Sequence, residues 1–138
     1  LRHGKAFAAN VGDSRLYRMR GGSLECITSD HSWVNEVGRN IGLSEEELKT
    51  HAYRNMLTRA IGADDEVEGE LLEVGFAPGD TLLLSTDGLH GVIEESQIAE
   101  ILTSSASLPD LGQALVDSVL ESGAPDNVTA VLISTDPN

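Results

Sequence analysis

The chain has 138 residues, which suits one domain and lets roughly two-thirds of the unfolded chain's surface become buried. Hydrophobic residues at 40% and charged residues at 23% exclude wholesale disorder. Nine Lys and Arg against 23 Asp and Glu leave a formal net charge of −14, which repels nucleic-acid phosphates and anionic lipid headgroups and suits cations or basic peptide segments.

Cys26 is the only cysteine, so no internal disulfide is expected, and no run approaches the roughly 18 consecutive apolar residues of a membrane span. A cytoplasmic location is the expectation. The chain opens at Leu1 with a strand-like run already under way, which sets the further expectation that an amino-terminal portion is missing.

Residues 5 to 29 read as a small antiparallel unit. "KAFAANV" and "RLYRMR" are separated by Gly12-Asp13-Ser14, a turn-type tripeptide, and Gly21-Gly22 joins the second run to "SLECIT". A Gly-Gly pair suits a hairpin because both central residues of the tight turn need positive φ. In "RLYRMR", Leu16 and Arg18 share one face and Tyr17 and Met19 the other, the pattern of a half-exposed strand. From Asp30 the period lengthens: Trp33, Val34, Val37 and Ile41 stand at helical spacing, closed by Gly42. A second short helix begins at Ser44, with Glu47 completing a capping box and Glu45-Glu46-Glu47 forming a solvated face.

"NMLTRAIG" and "VEGELLEVGF" read as strands, "APGD" as a turn, and "TLLLST" as a strand buried on both faces. A helix over about 94–103 follows, then another after Pro109 that presents Leu111, Leu115, Val119 and Leu120 on one side and stops at Gly123 and Pro125. "DNVTAVLIS" is a final buried strand. No repeat, low-complexity tract or linker divides the chain. Strands, helices, strands, helices, strand is the order of an α+β fold with a largely antiparallel sheet.

Asp87 ends one apolar run and Asp126 opens another. A carboxylate there must be paired, hydrogen-bonded or metal-bound. If the two strands are antiparallel neighbours, the acids meet at one sheet edge and repel unless a cation neutralises them. Mg²⁺ or Mn²⁺, hard ions that prefer oxygen, meet that need. The plainer alternative is that Asp87-Gly88 and Pro125-Asp126 are ordinary turn pairs, and Asp13 in "VGDSR" has the same alternative. Arg59 suits a phosphate or an acid partner, and the excess of acids favours the second. His3, His31, His51 and His90 lack metal-site spacing. His90, three residues after Asp87, suits a nearby general acid or, more plainly, an exposed loop. Cys26 reads as a core or half-buried residue.

Five stretches taken in order, "VGDSR", "TSDHS", "LTRAIG", "LLLSTDGL" and "APDNVT", resemble the carboxyl-terminal part of the metal-dependent Ser/Thr protein phosphatases of type 2C, bacterial branch. The likeness runs from about residue 6 to 134, and the segment 40–56 resembles that family's mobile flap. The resemblance implies that residues 1–138 are the carboxyl-terminal part of one such domain, itself part of a four-layer α-β-β-α sandwich of antiparallel sheets flanked by helices. It also implies hydrolysis of phosphoserine or phosphothreonine in proteins by a water held between two Mg²⁺ or Mn²⁺ ions, with a third ion in bacterial members. By motif, Asp87 of "STDGL" and Asp126 of "PDNVT" match metal ligands, Asp13 matches a residue of the third site, and Asn127 would orient Asp126. The implied partner is a phosphorylated protein, with neither nucleic acid nor membrane; the oligomeric state is left open.

The family's first half carries a phosphate-gripping arginine and an Asp-Gly-x-Gly-Gly motif whose Asp bridges both metals, and neither occurs here. Two readings follow. The chain is part of an enzyme and inactive alone, or it is a non-catalytic phosphatase-like module that binds a protein partner or phosphopeptide. Missing strands would also leave a sheet edge or an apolar face uncovered.

Overall fold

A computed structural model describes residues 4–135. Strands β1 (Lys5–Asn10) and β4 (Glu70–Gly75) pair antiparallel as a two-stranded sheet, with Ala6 opposite Val74. Strands β2 (Arg15–Arg20), β3 (Ser23–Cys26), β5 (Thr81–Ser85) and β6 (Ala130–Ser134) form an antiparallel sheet in the order β3-β2-β5-β6. The helices are α1 (Glu45–Thr50), α2 (Asp87–His90), α3 (Glu95–Thr103) and α4 (Leu108–Glu121).

The period-2 alternation of β2 and β5 builds two cores. Tyr17, Met19 and Leu83 project to one side and meet Leu89, Ile98, Leu115 and Val119 of the helices. Leu16 and Leu82, one residue away, project to the other side and meet Ala6, Val74 and Phe76 of the two-stranded sheet. Each fully buried side chain of this kind contributes roughly 1.5–3 kcal/mol over an exposed one. The layers are therefore helix, sheet, sheet. This is the expected α+β class, with three layers of the implied sandwich among the described residues.

Several local elements follow the sequence. Gly21 and Gly22 turn the β2–β3 hairpin with φ of 55° and 82°. Ser44 and Glu47 make the capping box of α1, and the Asp80 N–H donates to the Ala77 carbonyl across the "APGD" turn. Arg59 pairs with Glu36 at 3.2 Å.

Other elements differ. β1 and β2 do not form a hairpin: they belong to different sheets, and Gly12 (φ 107°) lies in the crossing between them. β2 is central rather than half-exposed, because Leu16 and Tyr17 both find a core. "NMLTRAIG" forms no strand; a single bridge joins Leu57 to Ser32, and Ile61 is 83% exposed, since no partner strand lies alongside. The helix expected from Trp33 is one π-helical turn, Val34–Gly38. It packs closely at Gly38, where a Cβ would stand 2.5 Å from Leu48 Cδ2. β5 is buried on both faces through Leu82 and Leu83, as expected, although its Leu84 stays exposed; the edge strand β6 exposes Val131. Leu120 points out of α4, and Cys26 is exposed, its thiol donating to the Thr28 carbonyl. His3 lies outside the described residues. Among those described, no helix is long and apolar enough to cross a membrane.

Candidate functional site

β5 and β6 are antiparallel neighbours, with Ser85 opposite Ala130. Beyond that pair, the Thr86 N–H donates to the Thr129 carbonyl (3.2 Å) and the Thr129 N–H to Thr86 Oγ1 (3.1 Å). These bonds hold the exit of β5 against the approach to β6. Asp87 then begins α2, and Asp126 sits in a bend four residues before β6. Gly88 fixes how near the two segments pass: a Cβ there would lie 2.0 Å from the Asn127 carbonyl oxygen, so only glycine fits. Asn127 reaches Asp126 through its backbone N–H, 2.7 Å from Oδ1. Among the described residues its side-chain amide makes no hydrogen bond to that carboxylate.

Asp13 arrives from the crossing between the sheets. Its neighbour is gripped by His31, which is 5% exposed: the Gly12 N–H donates to His31 Nδ1 (3.2 Å) and the His31 N–H donates to the Gly12 carbonyl (2.9 Å). The structure places Asp13, Asp87 and Asp126 on the wall of one cavity of about 870 Å³. Burial, and after it the Asp87 carboxylate, hold the Asp13 carboxyl above its ordinary range. Like charges thus converge here, and their oxygen donors suit a hard divalent cation in kind. Their number is another matter. Among the described residues no three Asp, Glu, His or Cys side chains stand close enough to hold an ion by themselves.

Beside the acids runs a polar network that the sequence reading missed. Arg15 grips Asp30 with both arms, Nε to Oδ1 at 2.8 Å and Nη2 to Oδ2 at 2.7 Å, and donates to the Tyr17 hydroxyl at 3.1 Å. That hydroxyl donates to Glu95 at 3.2 Å, and burial pushes its pKa up to about 12. The Asp30 bonds raise Arg15 further above its ordinary value, so the guanidinium stays charged. The signal lay in the motifs "VGDSR" and "TSDHS", whose Arg and Asp are complementary, although their separation in sequence hid the pairing.

His90 is half-buried and lines the cavity, in place of the exposed loop position expected; its ring lies 2.8 Å from the Ser85 hydroxyl. The cavity is also lined by Arg39, Lys49 and Arg54, which with Arg15 make four of the nine Lys and Arg in a chain of charge −14; Arg39 pairs with Glu45 at 3.3 Å. Their segment is held by the stacking of Trp33 on His51, with ring centres 4.2 Å apart, and by Tyr53 edge-on to Trp33 at 5.5 Å.

No family model matches the chain. Individual proteins do. The protein phosphatase PhpP of Streptococcus pneumoniae is 39% identical over 130 residues, which is 94% of this chain and 53% of that protein. The serine/threonine phosphatase stp of Listeria monocytogenes is 38% identical over 128 residues, 93% of this chain and 51% of that one. The solved serine/threonine phosphatase of S. agalactiae superposes with a TM-score of 0.91 at 34% identity, covering 98% of this chain and 56% of that one. The chain spans about half the length of the curated relatives it matches. Its motif order, its paired strands β5 and β6 and its superposition on a solved phosphatase make it a relative of the bacterial serine/threonine protein phosphatases, a group that includes a 2C-type member in Streptococcus pyogenes.

Proposed function

We propose that this chain is the carboxyl-terminal part of a Mg²⁺- or Mn²⁺-dependent protein phosphatase acting on phosphoserine and phosphothreonine. One observation carries the reading: the ends of two paired strands deliver Asp87 and Asp126 to a single cavity that Asp13 also enters. Asp87 and Asp126 would hold metal, Asp13 would serve a third ion, and Asn127 would steady the loop that carries Asp126. Bound divalent ions supply an activated water at neutral pH and offset charge on the phosphoryl oxygens. The residues of this chain supply oxygen ligands. Lys49 and Arg54, which line the same cavity, draw in an anionic phosphoprotein segment. The presence of Lys49 and Arg54 in the cavity lining supports assigning the segment 40–56 as a flap over the substrate. A cytoplasmic site of action belongs to the same proposal.

The number of acids in reach favours one alternative, in which this chain holds a phosphopeptide or protein partner without catalysis. Phosphate release from an aryl phosphate with Mn²⁺, measured on this chain and on the complete product of its gene, separates the two. Activity is expected in the complete product alone, and Asp87→Asn or Asp126→Asn is expected to abolish it with the circular dichroism spectrum unchanged. Full activity in both variants removes the ligand roles. Inactivity of the complete product leaves the binding module.

A further inference from the structure

His90 stands one helical turn beyond Asp87 on α2 and lines the cavity that holds the three acids. Its Nδ1 lies 2.8 Å from the Ser85 hydroxyl oxygen. Ser85 is 3% exposed, and among the described residues its hydroxyl has no other hydrogen-bond partner. A buried O–H without an acceptor is more costly than an unused lone pair on the same oxygen. The hydroxyl therefore donates, Nδ1 accepts, and the proton of the neutral ring resides on Nε2. Nε2 has no hydrogen-bond partner among the described residues and is not a buried atom, on a residue that lines the cavity. Burial, followed by the nearby Arg15 guanidinium, lowers His90 below its ordinary range and favours the neutral ring at pH 7.

We propose that His90, its tautomer set by Ser85, contacts the substrate by presenting Nε2–H as a neutral donor to a phosphoryl oxygen of the phosphoserine or phosphothreonine. This rests on the phosphatase reading and adds a substrate contact to it. A neutral donor has a physical advantage at this spot. An imidazolium would pair with the neighbouring carboxylates, whereas a neutral N–H binds an anionic oxygen and leaves those acids free. Ser85 acts as a positioning residue, since it touches His90 and not the substrate.

The test uses the complete gene product with Mn²⁺ and a phosphothreonine peptide. His90→Ala is expected to lower kcat/KM roughly ten- to a hundredfold, the range of one hydrogen bond to a charged oxygen. His90→Gln, whose amide N–H reaches a similar point, is expected to keep most of that activity, and Ser85→Ala to lose an intermediate share. A readout independent of turnover is the ¹⁵N spectrum of the wild-type imidazole, expected to have Nδ1 bare and Nε2 protonated. A proton on Nδ1, or a His90→Ala enzyme as fast as wild type, overturns the inference. Should His90→Ala not fold, Ser85→Ala with unchanged kcat/KM and unchanged ring nitrogen signals overturns it equally. A wild type that releases no phosphate sinks the phosphatase reading itself, and the contact with it; an active wild type with an indifferent His90 sinks the contact alone.

Discussion

At Gly88 a single missing methyl group decides whether two strand ends can share a cavity. The Asn127 carbonyl oxygen occupies the place of a Cβ, at 2.0 Å, and backbone cannot swing aside as a long side chain would. Gly88→Ala is therefore expected to cost roughly 1–3 kcal/mol by overpacking and to push the Asp126 loop away from Asp87. Urea denaturation gives the first quantity and Mn²⁺ titration by calorimetry the second; a variant equal to wild type in both would mean the two segments are free to part. Asp80 makes a contrasting case, remote from the cavity. It is 2% exposed, takes Arg20 Nε at 2.7 Å and the Ala77 N–H at 2.7 Å, and the Arg20 bond holds its pKa below the ordinary 3.8. A carboxyl lowered on folding contributes in full above its unfolded value and loses that contribution as pH falls below 3.8 toward the folded one. Asp80→Asn is expected to be less stable than wild type at pH 7 by roughly 1.5–3 kcal/mol, the range for bonds to a charged group. The gap is expected to narrow at pH 3, as read by urea midpoints at the two pH values.

Elements differ in how openly the sequence declares them. Gly21-Gly22, the Ser44–Glu47 box and the "APGD" turn are each set by neighbours in sequence, so they were legible. The pairing of β5 with β6 was inferred from two apolar runs with an acid at facing ends, and the register Ser85 to Ala130 agrees. Alternation gives the face of a strand but not its partner. For that reason β1 and β2 looked like a hairpin although Gly12 carries the chain from one sheet to the other. The close packing of the π-helical turn was hidden for a related reason: Gly38 meets Leu48, ten residues away. Ser85 and His90 are five residues apart, but only the turn from β5 into α2 reveals that they meet. A prediction follows for the segment α1 begins. Ser44→Ala removes the cap on the Glu47 N–H and is expected to destabilise α1 by about 1 kcal/mol. Amide exchange at Leu48 is expected to quicken about fivefold, with exchange in α4 unaltered. An equal change in α4 would make the effect global and the segment part of one cooperative unit.

On the scale of the whole molecule the two faces of the larger sheet are unequally covered. Helices α3 and α4 seal one, leaving Tyr17, Leu83, Leu115 and Val119 essentially without solvent contact. Only two strands lie over the other, and their reach ends before Leu84 and Val131, paired neighbours that remain 41% and 49% exposed. The outer side of the small sheet likewise shows Phe7 at 59% and Leu71 at 82%. Apolar side chains grouped on sheet faces, beside the open edge of β6, invite association. The net charge of −14 opposes it by self-repulsion. Because repulsion is screened by salt while apolar burial is not, the balance is expected to tip with ionic strength. This chain, expressed as its 138 residues, is expected to be disperse in about 20 mM salt and to self-associate in about 500 mM, where the Debye length has shrunk to a few ångströms. Sedimentation velocity at the two salts measures that shift. Leu84→Thr with Val131→Thr, which keeps β-propensity but removes apolar surface, is expected to suppress it. Association that persists unchanged in the double variant would locate the contact elsewhere, with the Phe7–Leu71 side of the small sheet as the next face to alter.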